Sequence, residues 1–105
     1  MKYKVKTLRG KRALVTVEFE EERFALAGEL MLAERPFLRQ IIRELENTRA
    51  NGNHGSFAGN AFSLSIAPDR TALENEVNGA SVTVPTDDLL KLAKAYQKQY
   101  ESLKR

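Results

Sequence analysis

The chain contains no cysteine. That excludes a disulfide-held scaffold, a thiolate zinc site and cysteine nucleophilic catalysis, and it fits a reducing compartment. Histidine is nearly as scarce: His54 is the single one in 105 residues. It stands in an Asn/Gly-rich loop, Asn51-Gly52-Asn53-His54-Gly55, with no second histidine, cysteine or acid in the loop to orient it or share a metal. A solvated loop residue is the better reading than a base or ligand. Long hydrophobic runs are also missing. The longest apolar-rich stretch, Phe24 to Ala33, is interrupted by Gly28 and Glu29 and is far too short to cross a bilayer. The first residues alternate lysine with apolar side chains, and no apolar run of signal-peptide length follows. A soluble cytoplasmic protein with no membrane partner is expected.

What is present describes one small domain over residues 1–105. Hydrophobic residues make up 42% and charged residues 30%, an ordinary globular balance that argues against disorder. The net charge of +3 hides a strong segregation. Residues 1–12 carry +6, residues 91–105 carry +4 and the middle carries −7. If the two ends lie on one side of the fold, the molecule has a basic patch and an acidic remainder.

The hydrophobic period changes along the chain. Tyr3-Lys4-Val5-Lys6-Thr7 and Val15-Thr16-Val17-Glu18-Phe19 alternate with period two and predict an antiparallel hairpin turning near Gly10. Phe24 to Leu32 permits strand or helix. The even-numbered face Phe24, Leu26, Leu30, Leu32 favours a third strand, bent at Gly28. Phe37, Leu38, Ile41, Ile42 and Leu45 predict a helix buried on one face. Pro36 sits in its first turn, Glu34 beside it complements the dipole, and the helix frays between Asn47 and Asn51. Phe62 to Ile66 is a short strand, and Thr71 to Val77 is another. Asn78-Gly79 is a hairpin signal leading to Val82 and Val84. Thr86 is the expected N-cap of a last helix, started by Asp87 and Asp88 and striped by Leu89, Leu92, Ala93, Tyr96, Tyr100 and Leu103. Together these predict an α+β fold: an antiparallel sheet of about five to six strands, with a central helix and a C-terminal helix packed on it.

No catalytic constellation emerges. Gly52, Gly55 and Gly59 match neither the dinucleotide fingerprint nor the P-loop, and the loop runs from helix to strand, the wrong order for a phosphate cradle. Ser56, Ser63, Ser65 and Ser81 lack a nucleophile-elbow context. Nothing forces one pKa upward in the acids Glu74 and Glu76, as general acid chemistry requires. No cofactor is expected. A non-enzymatic binding or regulatory module acting on another protein, in the manner of an inhibitor or toxin-neutralising protein, is the leading expectation. Its contact residues would be Glu18, Glu20, Glu21, Glu22, Glu74 and Glu76, facing a basic partner. The alternative is nucleic-acid binding through Lys2, Lys4, Lys6, Lys91, Lys94 and Lys98, whose clustering suits phosphates, although solubility explains the same lysines. The apolar stripe reaching Tyr100 and Leu103 is covered either by the domain or by a second copy in a homodimer.

The order of features is similar to that of small bacterial proteins of the YacL type. The hairpin strand Val15 to Phe19 and the segment Phe24-Ala25-Leu26-Ala27-Gly28-Glu29 come first, followed by a helix like Phe37 to Leu45. Then Ser56-Phe57-Ala58-Gly59-Asn60 leads into Phe62-Ser63-Leu64-Ser65-Ile66, and Ala95-Tyr96 lies in a final helix. The chain is basic where that family tends to be acidic, and shorter before its last helix. The resemblance implies an α+β fold in a bacterial cytoplasm. It assigns no site residues, because the family has no established activity.

Overall fold

In the computed structural model, which describes residues 1–103, six strands and three α-helices form an α+β domain. The order is β1 (Tyr3–Leu8), β2 (Leu14–Phe19), α1 (Ala25–Ala33), α2 (Leu38–Asn51), β3 (Gly55–Ala58), β4 (Phe62–Ile66), β5 (Arg70–Asn75), β6 (Ser81–Pro85) and α3 (Thr86–Ser102). The α+β class and the count of antiparallel strands agree with the sequence reading. The strands divide into two sheets, the β1–β2 hairpin and a meander in the order β3-β4-β5-β6. Helices α1 and α3 contact strands of both sheets and so stand between them.

The expected third strand is a helix. Residues 22–24 form a 3-10 turn that continues into α1. Leu26, Ala27, Leu30 and Met31 are buried along one side of it, while the apolar Ala25 and Leu32 are exposed on the other, so the sequence shows no one-sided apolar stripe. Gly28 is no strand bend. It brings α1 close to β2: a Cβ at this position would stand 3.2 Å from the Phe19 ring and 3.6 Å from the Val17 Cβ.

The amphipathic helix α2 buries Leu38, Ile41, Leu45 and Thr48. Rather than fraying from Asn47, it runs to Asn51 and stops at Gly52, whose φ of 71° supplies the left-handed cap. The segment expected to be only loop before Phe62 contains β3, which pairs with β4 and buries Phe57. Val77 lies beyond the end of β5 in the turn to β6, where Asn75 and Asn78 side chains accept N–H bonds from Val77 and Ala80, both at 2.9 Å. Gly79 takes φ 76° there. The inner face of the meander, carrying Phe62, Leu64, Ile66, Leu73 and Val84, meets Leu30, Ile41, Leu45, Leu89 and Leu92 from the helices in one core.

Two polar groups in this core do other work than the sequence suggests. Thr86 does not cap α3. Its buried hydroxyl donates to the Ala67 carbonyl at 2.6 Å and lies 2.8 Å from the Thr71 hydroxyl, which ties α3 to the β4–β5 turn. Glu34 does not serve a helix dipole from solvent. It is fully buried at the corner between α1 and α2. Its Oε1 accepts the Asn60 N–H, and its Oε2 accepts the N–H groups of Ala61 and Phe62, each at 2.8 Å. The carboxylate thus fills the β3–β4 turn and satisfies three backbone donors.

Tyr96 and Tyr100 show how the last helix is covered. Tyr96 is buried and its hydroxyl donates to the Val15 carbonyl at 3.0 Å. Tyr100 is half-buried beneath the Arg35 guanidinium, 4.9 Å from ring centroid to Cζ. The stripe is therefore covered by the domain itself. Burial pushes the Tyr96 phenol above its ordinary value, an effect that nearby Arg35 partly offsets. A phenol with a raised folded-state pKa contributes stability that is intact below the unfolded value of about 10 and lost as pH rises through the folded one. Tyr96→Phe is expected to remove that alkaline component, read as a smaller drop in urea midpoint between pH 9 and 11.

Candidate interaction surface

The hydrogen-bond register of the hairpin decides which backbone groups face outward. Tyr3 pairs with Phe19, Lys4 with Glu18 and Val5 with Val17. The Glu20 N–H donates to the Lys2 carbonyl at 3.1 Å, so even-numbered residues of β1 bond across the hairpin. The N–H and C=O groups of Tyr3, Val5 and Thr7 consequently point away from β2. Those of Val15, Val17 and Phe19 point the other way. That second edge is covered: Tyr96 takes the Val15 carbonyl, and α1 packs against β2 with Gly28 beside the Val17 carbonyl. The β1 edge has no backbone partner among the described residues.

The two ends of the chain meet at this strand. The Met1 amino group lies 3.3 Å from Asp88 Oδ2 near the start of α3. The Gln99 side-chain amide donates to the Thr7 hydroxyl at 2.6 Å near the end of α3. β1 therefore runs alongside α3 and in the same direction. Lys2, Lys4 and Lys6 are exposed on one face of β1, and Lys91, Lys94 and Lys98 are exposed on α3. Two of the six are engaged, Lys6 with Glu18 at 2.9 Å and Lys94 with Glu46 at 3.0 Å. Lys2, Lys4, Lys91 and Lys98 have no acidic partner among the described residues.

The acids fall on separate elements. Glu18 lies on β2, paired as above. Glu20, Glu21 and Glu22 are exposed in the turn before α1, with Glu21 bridged to Arg23 at 2.9 Å. Glu74 is on the exposed face of β5, opposite Ser63 and Ser81. Glu76 follows that strand and accepts the Ser63 hydroxyl. His54 is exposed between Gly52 and β3. Among the described residues, no three His, Cys, Asp or Glu side chains gather as metal ligands, and no helix is long and apolar enough to cross a membrane.

The sequence reading passed over the hairpin tip as a site. Arg9, Lys11 and Arg12 are exposed there without acidic partners among the described residues. Leu8 and Leu14, paired in register at its base, are 52% and 38% exposed. The missed signal was the run of cations between two leucines that alternation predicts to share one face. No protein-family model, curated protein or solved structure matches the chain.

Proposed function

We propose that the protein is a non-enzymatic binding module that acts through contact with another protein. The open edge of β1 carries this reading. A six-residue strand with three outward N–H and three outward C=O groups is a template for another strand. Its counterparts in the meander are shorter: the register leaves Ser56 and Ala58 outward on β3, and Ser81 and Thr83 on β6 before Pro85, which has no N–H to offer. Among the described residues the one fully buried carboxylate, Glu34, is consumed in holding a turn rather than held ready for chemistry. Glu20, Glu22 and Glu74, exposed and outside the ion pairs above, offer a second contact to a basic partner. The module works in the cytoplasm, the setting that the YacL resemblance implies. A homodimer through β1 is disfavoured, because antiparallel self-pairing sets one row of lysines against another.

Affinity capture from the source cell's lysate tests the reading. A stoichiometric protein partner that survives nuclease treatment is expected, and no retained protein contradicts it. The second reading, nucleic-acid binding, is favoured by the unpaired Arg9, Lys11 and Arg12 at the tip of a two-stranded ribbon, a shape that the major groove admits. It requires nuclease-sensitive capture, a steep loss of binding with added salt, and loss on replacing Lys91, Lys94 and Lys98 together by Glu.

A further inference from the structure

The charges around the β1 edge specify its occupant more closely than the open backbone does. Successive residues of a helix are rotated by about 100°. Going round α3, Tyr96 faces β2, and Asp88 and Gln99 face β1. Lys91, Ala95 and Lys98 come next, and then Lys94, which reaches Glu46 of α2. The ridge holding Lys91 and Lys98 therefore flanks the open side of β1. A strand added to β1 would lie about 4.8 Å beyond it, over this ridge, where the small exposed Ala95 leaves room. Its side chains would alternate between the face carrying Lys2, Lys4 and Lys6 and the face toward Lys91 and Lys98. The open groove at the start of the hairpin is lined by Lys2 and Lys4 but also by Glu18 and Glu20, and so spans both strands rather than the open edge alone.

We propose that β1 receives an extended acidic protein segment as a third strand of the hairpin, with carboxylates meeting Lys2 and Lys4 on one side and Lys91 and Lys98 on the other. The proposal rests on the binding-module reading and names its partner by chemistry. A neutral strand would satisfy the backbone edge but leave the lysines unmatched. A second copy of this chain would oppose lysine with lysine.

The probe is a fluorescent nine-residue peptide alternating glutamate with valine or threonine, compared with its lysine-for-glutamate counterpart against the full chain. Expected are saturable binding of the acidic peptide alone, weaker at high salt, and newly slowed hydrogen exchange at the Tyr3, Val5 and Thr7 amides. Reversing Lys91 and Lys98 together to Glu changes only exposed helix positions, and is expected to weaken binding about tenfold. Val5→Pro deletes the central outward N–H without touching a bond inside the hairpin, and is expected to abolish binding. No binding, equal binding of both peptides, unchanged affinity in the doubly reversed variant, or protection at Ser81 and Thr83 instead would overturn the proposal. So would a dimer of the free chain with β1 already protected. In the nuclease-treated lysate, a stoichiometric protein captured equally by wild type and by the doubly reversed variant sinks the β1 proposal and leaves the module reading standing. Capture of no protein sinks the module reading itself.

Discussion

Replacing Glu34 by alanine is expected to lower folding stability by about 3–5 kcal/mol, measured by urea denaturation with the slope unchanged. The side chain is fully buried and accepts three backbone N–H bonds at 2.8 Å. Truncation leaves the Asn60, Ala61 and Phe62 donors facing a cavity, and the Phe62 amide is itself buried. Leaving a buried donor unsatisfied costs about 1–3 kcal/mol, and bonds to a charged acceptor are the stronger kind. Glu34→Gln should fall between wild type and alanine. Its amide keeps the shape but presents one N–H₂ group to backbone donors where the carboxylate presented oxygen. A loss below about 1 kcal/mol for the alanine variant, the range of an ordinary surface substitution, would show that the three bonds carry no weight.

Gly59→Ala should be the second large loss, about 2–3 kcal/mol, although the glycine itself is exposed. The cause is not backbone strain, because φ at Gly59 is not positive. A Cβ there would collide with the Glu34 carboxylate: all three of that group's heavy atoms stand within any tolerable approach. Either the turn or the carboxylate must then move, and the hydrogen bonds go with it. The shared cause gives a sharper expectation. In a Glu34→Ala background the added methyl meets nothing of the carboxylate, so Gly59→Ala should cost far less than it does alone. Additive losses in this double-mutant cycle would place the Gly59 effect elsewhere.

Much of the fold was legible because its signals are local. Alternation marked β1, β2, β4 and β6, and a one-sided apolar stripe marked α2 and α3. Helix α1 was misread because apolar Ala25 and Leu32 stand on its exposed side and blur its one-sided burial, and because it carries Gly28, so its residues fit either period. That glycine answers to the Phe19 ring, a neighbour nine positions away on another element. β3 escaped notice because Gly55, Ser56 and Ala58 carry little apolar signal around Phe57. Glu34 looked like a helix-start acid because its partners lie at positions 60 to 62, and no spacing rule links a carboxylate to amides across an intervening helix. Thr86 has the residue type of a cap, but tertiary contacts claim its hydroxyl first. Candidate site residues were legible as charges and not as a surface. The lysines of β1 and α3 come together through contacts such as Met1–Asp88 and Thr7–Gln99, which span nearly the whole chain.

Amide hydrogen exchange on the free chain addresses the open edge most directly. In β1, the amides of Lys4, Lys6 and Leu8 bond across to β2 and should exchange slowly, while those of Tyr3, Val5 and Thr7 point outward and should exchange fast. That alternation, together with a monomeric mass, is the expected result. Slow exchange at Val5 to the same degree as at Lys4 and Lys6 would mean that the edge is already covered, and would contradict a surface held open for a partner strand.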